Sequence, residues 1–294
     1  MTEPARDAID PRAVAAVSDV ELGRRAFRRK QGTRSVLISL ASTVVFAVIV
    51  WITLVNTPGW AAVQQTFFDP ASFVSALPRV AEGFLLNLRV LFFSVIGVLV
   101  FSLLLATVRT LRGPIFFPLR ALAAGYTDLF RGMPLIIVLY LVGFGIPGLG
   151  LTQTRIPAEL LGTIALILTY SAYVAEVFRA GIEAVHPSQR LAARSLGLSH
   201  GKTLRLVILP QAVRKVTPAL MNDFVAMQKD VGLISVLGAV DAVRAAQIET
   251  AQSYNFTPYV VAGLFFVLLA LPMIRLTDWY TARLRSREQI GTIV

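Results

Sequence analysis

The side chains best able to do chemistry here are charged groups and a carboxamide set inside apolar runs. Asn222, Asp223, Lys229 and Asp230 fall in one such stretch, and Arg131 and Glu176 fall toward the ends of two others. An ionised side chain near the centre of a bilayer costs ~2.5–3.5 kcal/mol on insertion scales, so these groups must face partners or water rather than lipid. At about 100° per residue, Asn222 and Lys229 lie about 20° apart on a helix, and Asp223 and Asp230 form a second stripe beside them. The four make one broad polar seam, which either lines a translocation route or holds two helices or two protomers together. Arg131 and Glu176 lie at depths that permit an ion pair. The alternative is that Arg131 snorkels to the inner headgroups while Glu176 stays in the water layer.

Catalysis finds less support. No convergent nucleophile or acid–base set is visible, and with no cysteine the chain has no disulfide, thiolate metal site or cysteine nucleophile. His186 and His200 lack metal-site spacing and company, so they read as solvated. Residues 197–203, GLSHGKT, imitate the phosphate loop G-x4-G-K-[ST], but three residues separate the glycines and no buried strand precedes them. The chain therefore reads as a non-enzyme with no metal or cofactor of its own.

The elements that must position these groups are transmembrane helices. Of 294 residues 55% are apolar, and the mean hydropathy is +0.68. Apolar runs at 36–55, 84–108, 121–146, 159–178 and 258–274, with the polar fifth segment at 211–238, predict an all-α integral membrane protein of about six transmembrane helices. Residues 1–35 read as a cytoplasmic tail and 36–55 as an uncleaved first span. Residues 56–82, with three prolines, read as an extracytoplasmic loop holding a short amphipathic piece. A core domain follows over 83–283, with 241–257 outside, and 284–294 form a cytoplasmic tail. With both termini inside, 22 of the 28 Lys and Arg fall in cytoplasmic segments, Arg112 among them, and only Arg79, Arg155 and Arg244 fall outside. That asymmetry obeys the positive-inside rule. It also accounts for the net charge of +11 without nucleic acid. Tyr126, Trp279 and Tyr280 fall near the predicted interfaces, where aromatic anchors are expected.

One polar insert interrupts the lipid pattern, VHPSQRLAARSLGLSHGKTLRLVILP at 185–210. Ser188 is a suitable N-cap for a helix over 189–196, Gly197 suits a left-handed stop, Ser199 caps a second helix through Ile208, and Pro210 marks the next boundary. Ala192, Ala193 and Ser195 keep the first helix low while Arg190 and Arg194 stand out, as suits a docking plug.

That insert resembles the cytoplasmic loop of ATP-binding-cassette importer permeases, E-A-A-x3-G-x9-I-x-L-P. Leu191-Ala192-Ala193, Gly197 and Val207-Ile208-Leu209-Pro210 keep its spacing, with Leu191 in place of the glutamate. Residues 126–134 (YTDLFRGMP), 172–182 (AYVAEVFRAGI), 209–214 (LPQAVR) and 229–238 (KDVGLISVLG) are similar to the polar-amino-acid uptake branch, and the likeness covers about two thirds of the chain. Asp128, Asn87 and Val231-Gly232 depart from the usual glutamate, threonine and hydroxyl pair. The resemblance implies a type I importer permease fold with a cytoplasmic coupling helix, in which Gln189, Arg190, Leu191, Ala192, Ala193, Arg194 and Gly197 meet an ATPase. With the glutamate gone, coupling rests on shape and arginine contacts. It further implies two ATPase subunits that bind the ATP and Mg, a second permease that is a copy or a sister chain, an extracytoplasmic solute-binding protein, and a bacterial-type cytoplasmic membrane. Transport of an amino acid is expected, and basic, acidic, neutral and sulfur-containing ones all fit. The competing reading is a secondary, ion-coupled transporter with no ATPase. It calls for matched internal repeats, and the halves show none.

Overall fold

Helix-forming apolar runs, punctuated by prolines at helix starts, build almost the whole molecule. The computed structural model describes residues 19–111, 113–150 and 154–291. Most of the expected N-terminal tail (1–18), Arg112 and the last three residues lie outside the described residues. The chain forms two units, 1–63 and 64–294. In the first, α1 (Asp19–Val55) is one 37-residue helix, so the expected tail and first span join without a break from residue 19. Its segment Arg34–Val55 is long and apolar enough to cross a membrane.

The second unit departs from expectation first at α3. After α2 (Trp60–Phe67), α3 runs from Pro70 to Thr110 as 41 residues, so positions 70–82 are helix and not loop. The prolines misled because Pro70 occupies the first turn, where no amide proton is needed, while Asp69 caps the helix by accepting from the Ser72 amide at 2.9 Å. The expected third span is likewise two helices, α4 (Phe117–Gly132) and α5 (Leu135–Gly148), bent by 109°. Proline forces its predecessor out of the helical region, and Met133 is extended at φ −100°, ψ 135°. The Arg131 carbonyl, freed at the end of α4, accepts from the Tyr173 hydroxyl at 3.1 Å.

Helix α6 (Ala158–Glu183) is the central strut, touching α3, α4, α5 and α9. Ala165, Leu166, Ser171, Ala172 and Ala175 on it are fully buried. Lipid is as apolar as leucine, so such a helix is held by close packing, and its small residues let neighbours approach. Helices α7 (Pro187–Ser195) and α8 (His200–Thr203) follow, then a π-helical turn over Leu204–Ile208 and α9 (Leu209–Asp230). The expected boundary at Pro210 is a change of helix type and not a break: α9 starts at Leu209 with Pro210 in its first turn, Leu209 N–H reaches back to the Leu204 carbonyl, and this wider turn accommodates the proline ring and its missing amide. A 3-10 stretch, Val231–Leu237, leads to α10 (Ala242–Ser253) and α11 (Thr257–Gly291). The expected outer loop at 241–257 is thus mostly the packed helix α10. Four helical stretches among the described residues are long and apolar enough to cross a membrane, and up to six if each bent pair counts as one span.

Asn87 fixes this end of the bundle. Its carboxamide, 1% exposed, donates to the Val231 carbonyl at 3.1 Å and to Asp241 Oδ2 at 3.0 Å, and accepts from the Ala242 amide at 3.0 Å. Asp241 Oδ1 in turn caps α10 by accepting from the Arg244 amide at 2.9 Å. One turn earlier on the same face of α3, a Cβ on Gly83 would stand 2.5 Å from the Asp241 carbonyl carbon, so only glycine admits this approach. Below them Ala76 and Val80 pack with Ala242, Ala246 and Val261.

Asn87→Ala orphans three buried polar groups at once and is expected to lower stability by about 2 kcal/mol. Gly83→Val is expected to displace α10 outright. Thermal unfolding in detergent together with amide exchange over 238–256 checks both; unchanged melting and protection would refute the assignment.

Candidate functional site

The polar insert folds as a hairpin whose turn satisfies its own backbone. His186, not Ser188, caps α7: its ring accepts from the Ser188 amide at 3.3 Å. Pro187, which needs no amide partner, takes the first helical position, so the helix starts two residues earlier than expected. At the far end Gly197 adopts φ +78°. Gly197 N–H reaches the Arg194 carbonyl at 2.9 Å and Leu198 N–H the Ala193 carbonyl at 3.2 Å, the paired bonds of a Schellman stop. Ser199 then caps α8 as expected, though at 3.5 Å to the Lys202 amide.

The hairpin shows the faces its sequence pattern implied, with one exchange. Ala193 is buried, while Gln189, Ala192, Arg194 and Gly197 are exposed. Leu191 is 66% exposed and Leu196 81%, an apolar pair on a surface without lipid-spanning length. Arg190, expected to stand out, instead folds back to donate to the Ile182 carbonyl at 2.9 Å. The base is anchored by Val185, Ile208 and Ala212, and Lys215 caps the Ala184 carbonyl at 2.7 Å.

Above the hairpin, Glu176 gathers three helix ends. Arg131 of α4 lies 3.9 Å from its carboxylate, but Arg109 of α3 is closer at 2.9 Å, and Arg179 one turn along α6 bonds both oxygens. Arg179 also meets Glu183 at 2.5 Å. The Arg131–Glu176 pair is therefore the outer member of a cluster, and Arg131 remains exposed. Sequence reasoning missed Arg109 and Arg179; the i,i+3 and i,i+4 spacing from Arg179 to Glu176 and Glu183 was a usable signal for one of them.

The seam on α9 divides in two. Asp223 and Asp230 turn toward α6, where Asp230 accepts from the Tyr170 hydroxyl at 2.8 Å. Asp223 lines a cavity of about 90 Å³ with Val95, Val98, Tyr170 and Val174, and its Oδ2 has no hydrogen-bond partner among the described residues. Asn222 and Lys229 face outward and are exposed. Gln228, fully buried beside them, also has no partner for its carboxamide among the described residues. A helix that presents polar groups both to its neighbours and away from them, in a protein with membrane-length spans, must be covered on both sides. Among the described residues no group of three or more His, Asp or Glu is placed to hold a metal ion.

Residues 113–286, which carry the hairpin, the α9 seam and, Arg109 apart, the Glu176 cluster, match the family described as binding-protein-dependent transport system inner membrane component. The arginine transport system permease protein ArtQ of Bacillus subtilis is 31% identical over 221 residues, covering 75% of this chain and 99% of that one. A putative glutamine transport system permease protein, GlnP of Rickettsia conorii, is 36% identical over 193 residues, 65% of this chain and 86% of its own length. Among solved structures, an amino acid ABC transporter with histidines superposes with a TM-score of 0.67 at 35% identity, over 73% of this chain and 98% of that one. The broken α4–α5 span, the central α6 and the α7–α8 hairpin are thus parts of a type I ABC permease fold, and the chain belongs to the family of binding-protein-dependent transport system inner membrane components.

Proposed function

We propose that the chain is the transmembrane permease subunit of an ATP-driven importer of amino acids, working in the cytoplasmic membrane of a bacterial-type cell. The observation that carries this reading is the hairpin: a rigid, self-capped helix pair that projects exposed Leu191 and Leu196 from the end of the central span. Exposed leucines on a short polar helix cannot be buried in lipid, and they fit a groove on another subunit. Gln189, Leu191, Ala192, Arg194 and Gly197 form that contact, while Ala193, expected to join it, packs beneath it and Arg190 braces it from behind. Two ATPase subunits bind the ATP and Mg, so this chain hydrolyses nothing. Leu191, where the family motif has a glutamate, makes the contact apolar.

The remaining parts follow. Counting each bent pair as one span yields six crossings, and the distribution of Lys and Arg orients both termini and the hairpin toward the cytoplasm. The core extends over 83–283, and α1 is an additional span. The outward stripe of Asn222 and Lys229 faces a second permease, identical or a sister chain, across the route, with Asp223, Asp230, Arg131 and Glu176 near it. A solute-binding protein delivers the amino acid from outside. A secondary transporter would have no use for the hairpin, and the family match speaks against one.

Two measurements test this reading. Gly197→Asp introduces a Cβ that meets no atom within 4 Å, so the fold bears only the left-handed strain of about 1 kcal/mol. The variant is expected to insert normally but to lose co-purification with the ATPase and ATP-dependent uptake; normal uptake would overturn the docking role. Because the chain has no cysteine, single cysteines report topology cleanly. Ser195→Cys is expected to label with an impermeant maleimide only from the cytoplasmic side and Gln247→Cys only from outside. The reverse pattern would invert the assignment.

A further inference from the structure

A cavity of about 410 Å³ opens between the inner ends of α3 and α6 and the α7–α8 hairpin. We propose that it is a binding site for an anionic phosphate group, either the headgroup of an acidic phospholipid or a soluble phosphate. Four arginines, Arg109, Arg179, Arg190 and Arg194, line it with His200, against one acidic residue, Glu183. Glu176, behind the wall, is bonded to Arg109 and Arg179, and Glu183 to Arg179, so those two arginines are already matched. Arg190 is held in place by the Ile182 carbonyl, which orients the side chain and leaves its charge uncompensated. Among the described residues no carboxylate lies within ion-pair distance of Arg190 or Arg194. Two unmatched cations therefore converge on one concave space.

Guanidinium forks match the oxygens of phosphate, and a group with several oxygens can engage more than one fork at once. The cavity is far larger than a halide needs, and Ile182, Leu204 and Ile208 add an apolar wall suited to the carbon part of a phosphate ester. Basic pockets between transmembrane helices near the cytoplasmic surface are where acidic headgroups bind. Because the arginines come from α3, α6 and α7, an occupant ties the hairpin to the ends of two spans. The cytoplasmic placement of the cavity rests on the orientation proposed above, whereas the experiment reads binding and not transport.

The full-length chain, purified and stripped of native lipid, is titrated with phosphatidylglycerol, phosphatidylcholine and inorganic phosphate, and binding is followed by native mass spectrometry and thermal shift. Binding of phosphatidylglycerol or phosphate, but not of phosphatidylcholine at the same concentration, is expected. R190Q/R194Q is expected to weaken it about tenfold or more, while R214Q, outside the cavity, leaves it unchanged. Phosphatidylglycerol binding that excess inorganic phosphate cannot displace assigns the site to lipid; saturation by inorganic phosphate alone assigns it to a soluble anion. Equal binding of phosphatidylcholine, binding unaltered in R190Q/R194Q, or no binding of either anion overturns the proposal. Should the double variant fail to fold, salt titration of the native chain decides, because affinity that does not fall with ionic strength also overturns it.

Discussion

Three hydrogen bonds made by one carboxamide hold one end of the bundle in register. Asn87 offers two donors and an acceptor, and all are used: toward the Val231 carbonyl, toward Asp241 and from the Ala242 amide. The 3-10 stretch, the turn at Asp241 and the start of α10 are therefore all referenced to one point on α3. In a low-dielectric interior such a satisfied network specifies a single arrangement, since any displacement strands several buried polar groups at once. The absence of a side chain at Gly83 lets α10 come close enough for the network to form.

The same demand for backbone satisfaction explains where the helices break. At Met133-Pro134 the chain turns through 109°, and the Arg131 carbonyl left over at the break is taken by Tyr173 from the central helix. At Pro210 the chain does not turn, because a π-helical turn reroutes the hydrogen bonds around the ring. Two prolines in similar apolar surroundings thus have opposite outcomes. The difference is what surrounds each backbone: at the first, α6 supplies a capping hydroxyl; at the second, the five-residue offset leaves little to cap.

Helix α6 links these devices to the hairpin. Its small residues bring α3, α4, α5 and α9 into contact, its Tyr170 and Tyr173 hydroxyls bond α9 and the α4 terminus, and its Glu176 joins arginines from α3, α4 and its own next turn. The hairpin begins directly after its last turn, and Lys215 of α9 returns to the Ala184 carbonyl there. The hairpin is therefore joined to a helix in contact with much of the bundle.

Local physics was legible in the sequence: membrane-length runs, the left-handed stop at Gly197, the Ser199 cap, and the angular relation of Asn222 to Lys229. These depend on residues within a turn or two of one another, and the structure retains them, except that the run at 121–146 is broken at Met133-Pro134. Partner choice was not legible. That Glu176 bonds Arg109 more closely than Arg131, that Arg190 turns back to Ile182, and that Asn87 pairs with Asp241 are consequences of distances between residues up to 154 positions apart. Prolines were ambiguous for the same reason, since Pro70 starts a helix after a loop, Pro134 lies at a break and Pro210 enters the first turn of α9 with no break before it, each according to which neighbour can take the backbone groups it leaves. Sequence alone therefore determined what each segment can form, and tertiary structure decided which buried polar groups meet, because that depends on helices brought together by packing.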